Sequence, residues 1–490
     1  MQWLTRKWLW RQQFRNASKL TSQTIKLSDH HLQLFERALD YSKNPSSILS
    51  DAKDIEPYNV DWLGQSKGSG SLVLRPKNTA EMSDAVRICY DNDLPICFQG
   101  GNTGLVGASV PLADELIIST SRMTKVESFD PMSGVLTCQA GCILEALDNH
   151  VSEHGYMMPL DLGAKGSCAI GGNMATGAGG VRLLRFGSLH THLLGLEVVG
   201  AGGRVLSMMN TLRKDNTAFH LPHLFIGSEG QLGVISKVSM TCVPRPSSVN
   251  VAFLGCRTFE ACCRLLGLAK SILGEILSSY EFIDRAAVEC AEENLKLRRP
   301  LNTTHDFYLL VETMGSDENH DSEKLTRFIA KSMGDGLVEN GTMATNVSEA
   351  RDMWKVREGV TEALKHDGYV HKCDISLPLK YFYEMVTETR KRVGKLPRRV
   401  VGYGHLGDGN LHLNITEAKR SSELVNKLFP FIYDWTIAHG GSISAEHGIG
   451  VSKLPYWNYG KSPEIIATMR DLKKLFDPKF LFNPNKTLVL

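Results

Sequence analysis

Two short stretches near the C-terminal end of this 490-residue chain carry histidine, glutamate and asparagine at spacings that suit chemistry. Residues 399–415 read R-V-V-G-Y-G-H-L-G-D-G-N-L-H-L-N-I, two apolar runs flanking the turn signal L-G-D-G-N, which predicts a β-hairpin. His405 closes the first strand and His412 sits in the second, so the turn can bring two imidazoles together. Asn414 shares the face of His412, because strand side chains alternate with period two. Downstream, S-A-E-H-G-I-G sets Glu446 beside His447 between small residues. A His405/His412/Glu446 set with an open position is what a catalytic divalent metal such as zinc requires. Histidines seven apart also occur as purely structural residues, and the spacing leaves both readings open.

Gly402, Gly404 and Gly407 match the dinucleotide fingerprint G-x-G-x-x-G. That motif needs a following helix to aim backbone N–H groups at a pyrophosphate. A strand follows here, which excludes the reading.

Behind these residues must stand a sizeable scaffold, and the chain is long enough for two or three domains. Its 42% hydrophobic and 22% charged content is ordinary for a globular protein, with no apolar run as long as a membrane span. Residues 1–28 hold six basic residues and no acidic one, with Ser, Thr and Gln among them. This composition suits a mitochondrial presequence and, as an alternative, a basic surface arm. Without these residues 49 basic groups face 53 acidic ones, so no nucleic-acid footprint remains. The eleven cysteines show no metal spacing and read as reduced, mostly buried thiols.

From about Gly68 strands and helices alternate. S-L-V-L-R-P reads as a strand, and a helix capped by Thr79 presents Met82, Ala85, Val86 and Cys89 on one face. The strand P-I-C-F-Q then runs into a glycine-dense loop, Gly100 to Gly107. Consecutive backbone N–H groups in such a loop can nest a phosphate, though a tight irregular turn has the same composition. A second loop, 158–180, holds seven glycines with Ser167, Asn173 and Thr176 interleaved, and reads as a long functional loop. L-F-I-G-S-E-G-Q-L-G-V-I (224–235) adds a third glycine-bearing segment. Together they suggest a large phosphorylated cofactor lying against backbone. Residues 247–455 read as an α+β cap with an antiparallel sheet, including a helix from Asp321. A last helix begins at Ser462-Pro463 and stops before Asp477-Pro478.

R-P-K-N-T-A-E, Q-G-G-N-T-G-L-V-G, D-L-G-A-K-G-S-C-A-I-G-G-N and G-S-E-G-Q-L-G-V together resemble the FAD-binding domain of the vanillyl-alcohol oxidase type. Adding G-H-L-G-D-G-N-L-H-L-N, A-E-H-G-I-G and F-N-P-N-K extends the resemblance to the D-2-hydroxyglutarate dehydrogenases of the D-2-hydroxy acid dehydrogenase branch, over roughly residues 50–490. The implied fold is α+β: lead-in 29–65, FAD-binding domain 66–246, substrate and metal cap 247–455, and a C-terminal segment 456–490 returning to complete the FAD site. The resemblance implies FAD held by Pro95, Gln99, Gly100, Gly101, Asn102, Thr103, Gly104, Leu105, Ser167, Gly171, Gly172, Asn173, Thr176, Ile235 and Asn483. Relatives that attach flavin covalently carry His in the first glycine loop; Asn102 and Thr103 stand there instead, implying non-covalent FAD. Many relatives have Asn where this chain has Gly177.

The implied reaction is oxidation of D-2-hydroxyglutarate to 2-oxoglutarate by hydride transfer to flavin N5. A metal on His405, His412 and Glu446 would bind the α-hydroxy acid, with His447 as general base. Arg357 and Thr361, four apart on a helix, and Lys372 would grip the distal carboxylate, and Asn414 would orient the substrate. Electron-transferring flavoprotein is the implied electron acceptor, and the mitochondrial matrix the implied compartment. A D-lactate dehydrogenase would share the metal and flavin without the distal grip. A zinc hydrolase would leave the glycine loops unexplained, and an inactive flavin-fold binding protein would not need the intact polar set.

Overall fold

Buried β-branched runs and one-sided helices build three main sheets and a two-stranded pair, Tyr156–Met157 with Val243–Pro244, in a computed structural model that describes residues 27–112 and 115–489. The expected presequence lies almost wholly outside the described residues.

The first sheet orders its strands Ile48–Leu49, Val73–Leu74, Leu116–Ser119 and Ile96–Gln99, the last three parallel. Ile96–Gln99 and Leu116–Ser119 are buried throughout, as their unbroken apolar runs require. Helix Thr79–Asp91 buries Met82, Ala85, Val86 and Cys89 as the spacing predicts, but its cap is Asn78 rather than Thr79. Asn78 accepts the Glu81 N–H, while the Thr79 hydroxyl donates to Glu197. The second sheet is wholly antiparallel and runs Val126–Asp130, Val135–Gln139, Val234–Thr241, Leu193–Val199 and Val205–Met208.

The segment 158–180 is not structureless: it contains helix Ile170–Thr176. Two glycines weaken a helix, yet Gly171 is required here. A Cβ on it would lie 2.5 Å from that of Ala140. Gly177 ends the helix at φ +63°, the left-handed stop that Gly or Asn provides most easily.

The third sheet has seven antiparallel strands, ordered Asn340–Met343, Ser248–Cys256, Phe307–Gly315, Leu277–Asp284, Arg399–His405, Asn410–Glu417 and Tyr369–Ser376. One face packs on helices Phe259–Ile272 and Glu318–Gly334. The second of these starts at Glu318, not Asp321, because Asp317 caps it by accepting the His320 N–H. The other face packs on helices Arg285–Leu295 and Val347–Lys365. Helix Pro463–Phe476 starts at the Ser462 cap, and the chain then turns on Asp477, whose carboxylate accepts the Leu481 and Phe482 N–H groups. It rejoins the first sheet, where Leu481 and Asn483 bond the backbone of Ile96. All eleven cysteines are free. No helix among the described residues is long and apolar enough to cross a membrane.

Candidate active site

Strand register assembles the site. The predicted hairpin forms, with His405 opposite Asn410 and Tyr403 opposite His412. The next strand pairs Asp374 with His412 and Lys372 with Asn414. Paired residues share a face, so Tyr403, His405, His412, Asn414, Lys372 and Asp374 all point toward helix Val347–Lys365. That helix contributes Arg357 and Thr361.

The rings of His405 and His412 stand 5.2 Å apart, and His447 stacks on His412 at 5.8 Å. Three Nε2 atoms face one oxygen: Glu446 Oε1 lies 3.9 Å from His405, 3.9 Å from His412 and 3.7 Å from His447. The other Glu446 oxygen accepts the Gly180 N–H at 3.1 Å. On the far side of each ring stands a second carboxylate. His405 Nδ1 donates to Glu281 Oε1 at 2.9 Å. His412 and His447 turn Nδ1 toward Asp374, at 3.7 and 3.8 Å. Carboxylates behind imidazoles orient the outward nitrogens, the usual arrangement around a metal.

Asp374, His412, Glu446 and His447 also place one ligand atom each within 4.8 Å of one another. Asp374 is nevertheless committed elsewhere. One oxygen accepts the N–H groups of Ala445, Glu446 and His447 at 2.9–3.1 Å, and the other accepts Asn410 Nδ2 at 2.8 Å. Although burial opposes ionisation, the charges of His447, Lys453 and His412 hold its carboxyl well below the usual range. Asp374 therefore fixes the 445–447 segment, which leaves the Nε2 atoms of His405, His412 and His447 and Glu446 Oε1 as the inward-facing atoms that could hold a cation.

Beside this cluster stand two buried cations. Arg357 is 5% exposed; Nη2 is 2.8 Å from Glu281 Oε2 as an ion pair outside the hydrogen-bond direction. Lys372 Nζ is buried with no hydrogen-bond partner among the described residues. Burial, with help from Lys365, lowers its pKa to about 8. Buried cations without full partners are costly, and an anionic ligand would relieve that cost.

A cleft between the first two sheets is lined by Gln99, Gly100, Gly171, Gly172, Thr176, Ile235 and Asn483, all expected there, and by Phe98, Ser109, Thr120, Glu229 and Gly230. Cβ atoms added at Gly104, Gly172 and Gly227 would meet nothing within 4 Å, so the backbone lies open to a bulky group. Asn173 Oδ1 and Thr120 Oγ1 are buried without partners among the described residues. These observations fit a nucleotide cofactor seated on backbone. Other expected residues serve the loops. Asn102 binds Pro57 O, Val60 O and Ser109, and Gly101 packs on the Ser167 carbonyl. Pro95 O accepts Leu116 N–H. Asn483 joins both ends of the chain: Oδ1 accepts the Phe98 N–H at 2.9 Å, and Nδ2 donates to Glu229 O at 2.7 Å.

Asp374, Glu281, Tyr403 and Glu229 escaped the sequence reading. Glu229, at the centre of G-S-E-G, accepts the N–H groups of Ile449 and Gly450 at 2.8 Å each, coupling the cleft to the histidine cluster.

Comparison with known proteins agrees with this architecture. Residues 70–208 match the FAD binding domain family, and residues 245–487 match the C-terminal domain of FAD linked oxidases. The mitochondrial D-2-hydroxyglutarate dehydrogenase of Arabidopsis thaliana is 51% identical over 90% of this chain and 79% of its own length. That of Bos taurus is 49% identical over 94% and 84%. A solved structure of p-cresol methylhydroxylase superposes with TM-score 0.73, covering 94% of this chain and 96% of that one, at 11% identity, which shows the shared vanillyl-alcohol-oxidase-type fold. With half its residues shared across nearly its whole length, the chain belongs to the family of FAD-dependent D-2-hydroxyglutarate dehydrogenases.

Proposed function

We propose that this enzyme oxidises D-2-hydroxyglutarate to 2-oxoglutarate in the mitochondrial matrix. One observation carries the reading: three imidazole Nε2 atoms converge on Glu446 Oε1 beside a buried, under-partnered Arg357 and Lys372. That pairing suits a substrate with a chelating α-hydroxy acid at one end and a carboxylate at the other. The names of the similar proteins support the same substrate and a mitochondrial location.

His405, His412 and Glu446 would hold the metal, zinc by the chemistry of two imidazoles and a carboxylate. FAD would rest non-covalently on the backbone of the glycine loops. When bound, the metal supplies a Lewis acid for the α-hydroxy acid and the FAD a two-electron acceptor at N5 for the C2 hydride. Arg357, Thr361 and Lys372 grip the distal carboxylate, the Arg through its planar fork. Asn414 orients the substrate between the two ends. His447 accepts the α-hydroxyl proton. Glu281 and Asp374 hold the imidazoles so that each Nε2 faces inward. Electron-transferring flavoprotein is the acceptor that the family resemblance supports.

The test is the visible spectrum of the purified holoenzyme under anaerobic conditions, before and after D-2-hydroxyglutarate. Bleaching of the flavin band is expected. A flavin band that bleaches only with D-lactate would replace the substrate, and a colourless protein that resists reconstitution with FAD would overturn the cofactor.

A further inference from the structure

Tyr403 is 2% exposed, yet its hydroxyl ends between polar groups rather than in the apolar core. Asn414 Nδ2 donates to it at 2.7 Å, and Thr361 Oγ1 lies 2.9 Å away. The Arg357 guanidinium stands 5.0 Å over its ring, and the His412 ring is 5.3 Å distant. One phenol therefore touches both Arg357 and the histidine cluster.

The hydrogen bonds have a direction. An amide N–H can only donate, so Asn414 occupies a lone pair of the phenol oxygen. The phenol proton then has Thr361 Oγ1 as its acceptor within reach. Thr361, with that lone pair engaged, keeps its own O–H to donate. Arg357, one helical turn away, presents N–H donors only. Stacking on Tyr403 limits where that guanidinium can swing. Donors alone, held in fixed positions, recognise an anion.

We propose that Tyr403 is the positioning residue that makes this site select 2-hydroxy acids bearing a second carboxylate: it fixes Thr361 as a donor and holds Arg357 beside it. The inference rests on the distal-carboxylate grip of the proposed function. A Tyr serving only the core would instead be replaceable by Phe without effect on substrate affinity.

The test is Tyr403→Phe in the holoenzyme, which keeps the ring and removes one oxygen. Loss of an oriented charge-assisted contact should raise KM for D-2-hydroxyglutarate about tenfold or more, with kcat within about threefold and flavin and metal contents unchanged. Binding of glutarate, which has both carboxylates and no hydroxyl, should weaken by a similar factor in calorimetry. Thr361→Val combined with Tyr403→Phe should cost no more than Thr361→Val alone, because one residue acts through the other. A wild-type KM in Tyr403→Phe, a loss confined to kcat, or strict additivity of the two changes would overturn the proposal. If the wild-type enzyme fails to oxidise D-2-hydroxyglutarate yet binds glutarate through Tyr403, the substrate reading falls and this inference stands. If it binds neither, both fall.

Discussion

The Gly180 N–H donates to Glu446 Oε2 at 3.1 Å, so a glycine of the flavin-binding half holds a carboxylate of the histidine cluster. With one oxygen held, the other is turned to the three imidazoles. Any side chain at Gly179 would crowd the same carboxylate, because a Cβ there would lie 3.0 Å from Oε2. The two halves of the chain thus meet at the carboxylate whose other oxygen faces the imidazoles.

Glu446→Gln keeps an acceptor for Gly180 but presents an amide to the histidines. Bound metal measured by mass spectrometry should fall at least about tenfold, while FAD absorbance is retained. Chelator-treated wild-type enzyme should lose turnover and regain it with zinc. Full metal content in the variant would exclude Glu446 as a ligand.

Replacing His447 with Ala should slow anaerobic flavin reduction about 10²–10⁴-fold, the range for loss of a general base. The protein should remain yellow, since His447 lies outside the cleft lined by Gly172 and Thr176. Stopped-flow spectroscopy reads both quantities, and an unchanged reduction rate removes His447 from the proton transfer.

Lys372 should give substrate binding a basic limb. Its pKa in the free enzyme is about 8, lowered by burial. A bound carboxylate favours the charged amine and raises that pKa. Affinity is therefore full below about pH 8 and declines as pH rises above it, by at most about tenfold per unit. KM for D-2-hydroxyglutarate measured from pH 6.5 to 9.5 should show this rise, and Lys372→Met should have a high KM with the rise removed. A rise of the same steepness in the variant would assign it to another group.

Asn483→Ala should loosen the cofactor. The substitution strands the buried Phe98 N–H and the Glu229 carbonyl, at about 1–3 kcal/mol for each group left unsatisfied. The ratio of flavin to protein absorbance should drop and thermal unfolding should shift down, with added FAD recovering part of the loss. Unchanged FAD retention would show that the C-terminal segment does not shape the cleft.

The hairpin was legible because its signals are local: alternation puts His412 and Asn414 on one face, and L-G-D-G-N marks the turn. The helix start at Ser462 was equally local. Asp374 and Glu281 were not legible, because their value lies in register. Asp374 faces His412, and Glu281 faces His405, through strand pairings between residues 38 and 124 apart in the chain. Nothing in D-I-S or Y-E-F announces such a partner. The helix Ile170–Thr176 escaped for another reason, since tertiary packing of Gly171 on Ala140 outweighs a glycine-poor helix preference. Tyr403 read as one more apolar strand residue; only the arrival of Thr361 and Asn414 at its hydroxyl gives it a polar task.

The return of residues 481–483 to the Ile96 strand has a consequence in time. A chain is made from its N-terminus, and the first sheet arrives long before its last partner. Until Asn483 is made, the Phe98 N–H lacks its acceptor and the cleft lacks one wall. Completion of the cleft is thereby a late event, timed by completion of the chain.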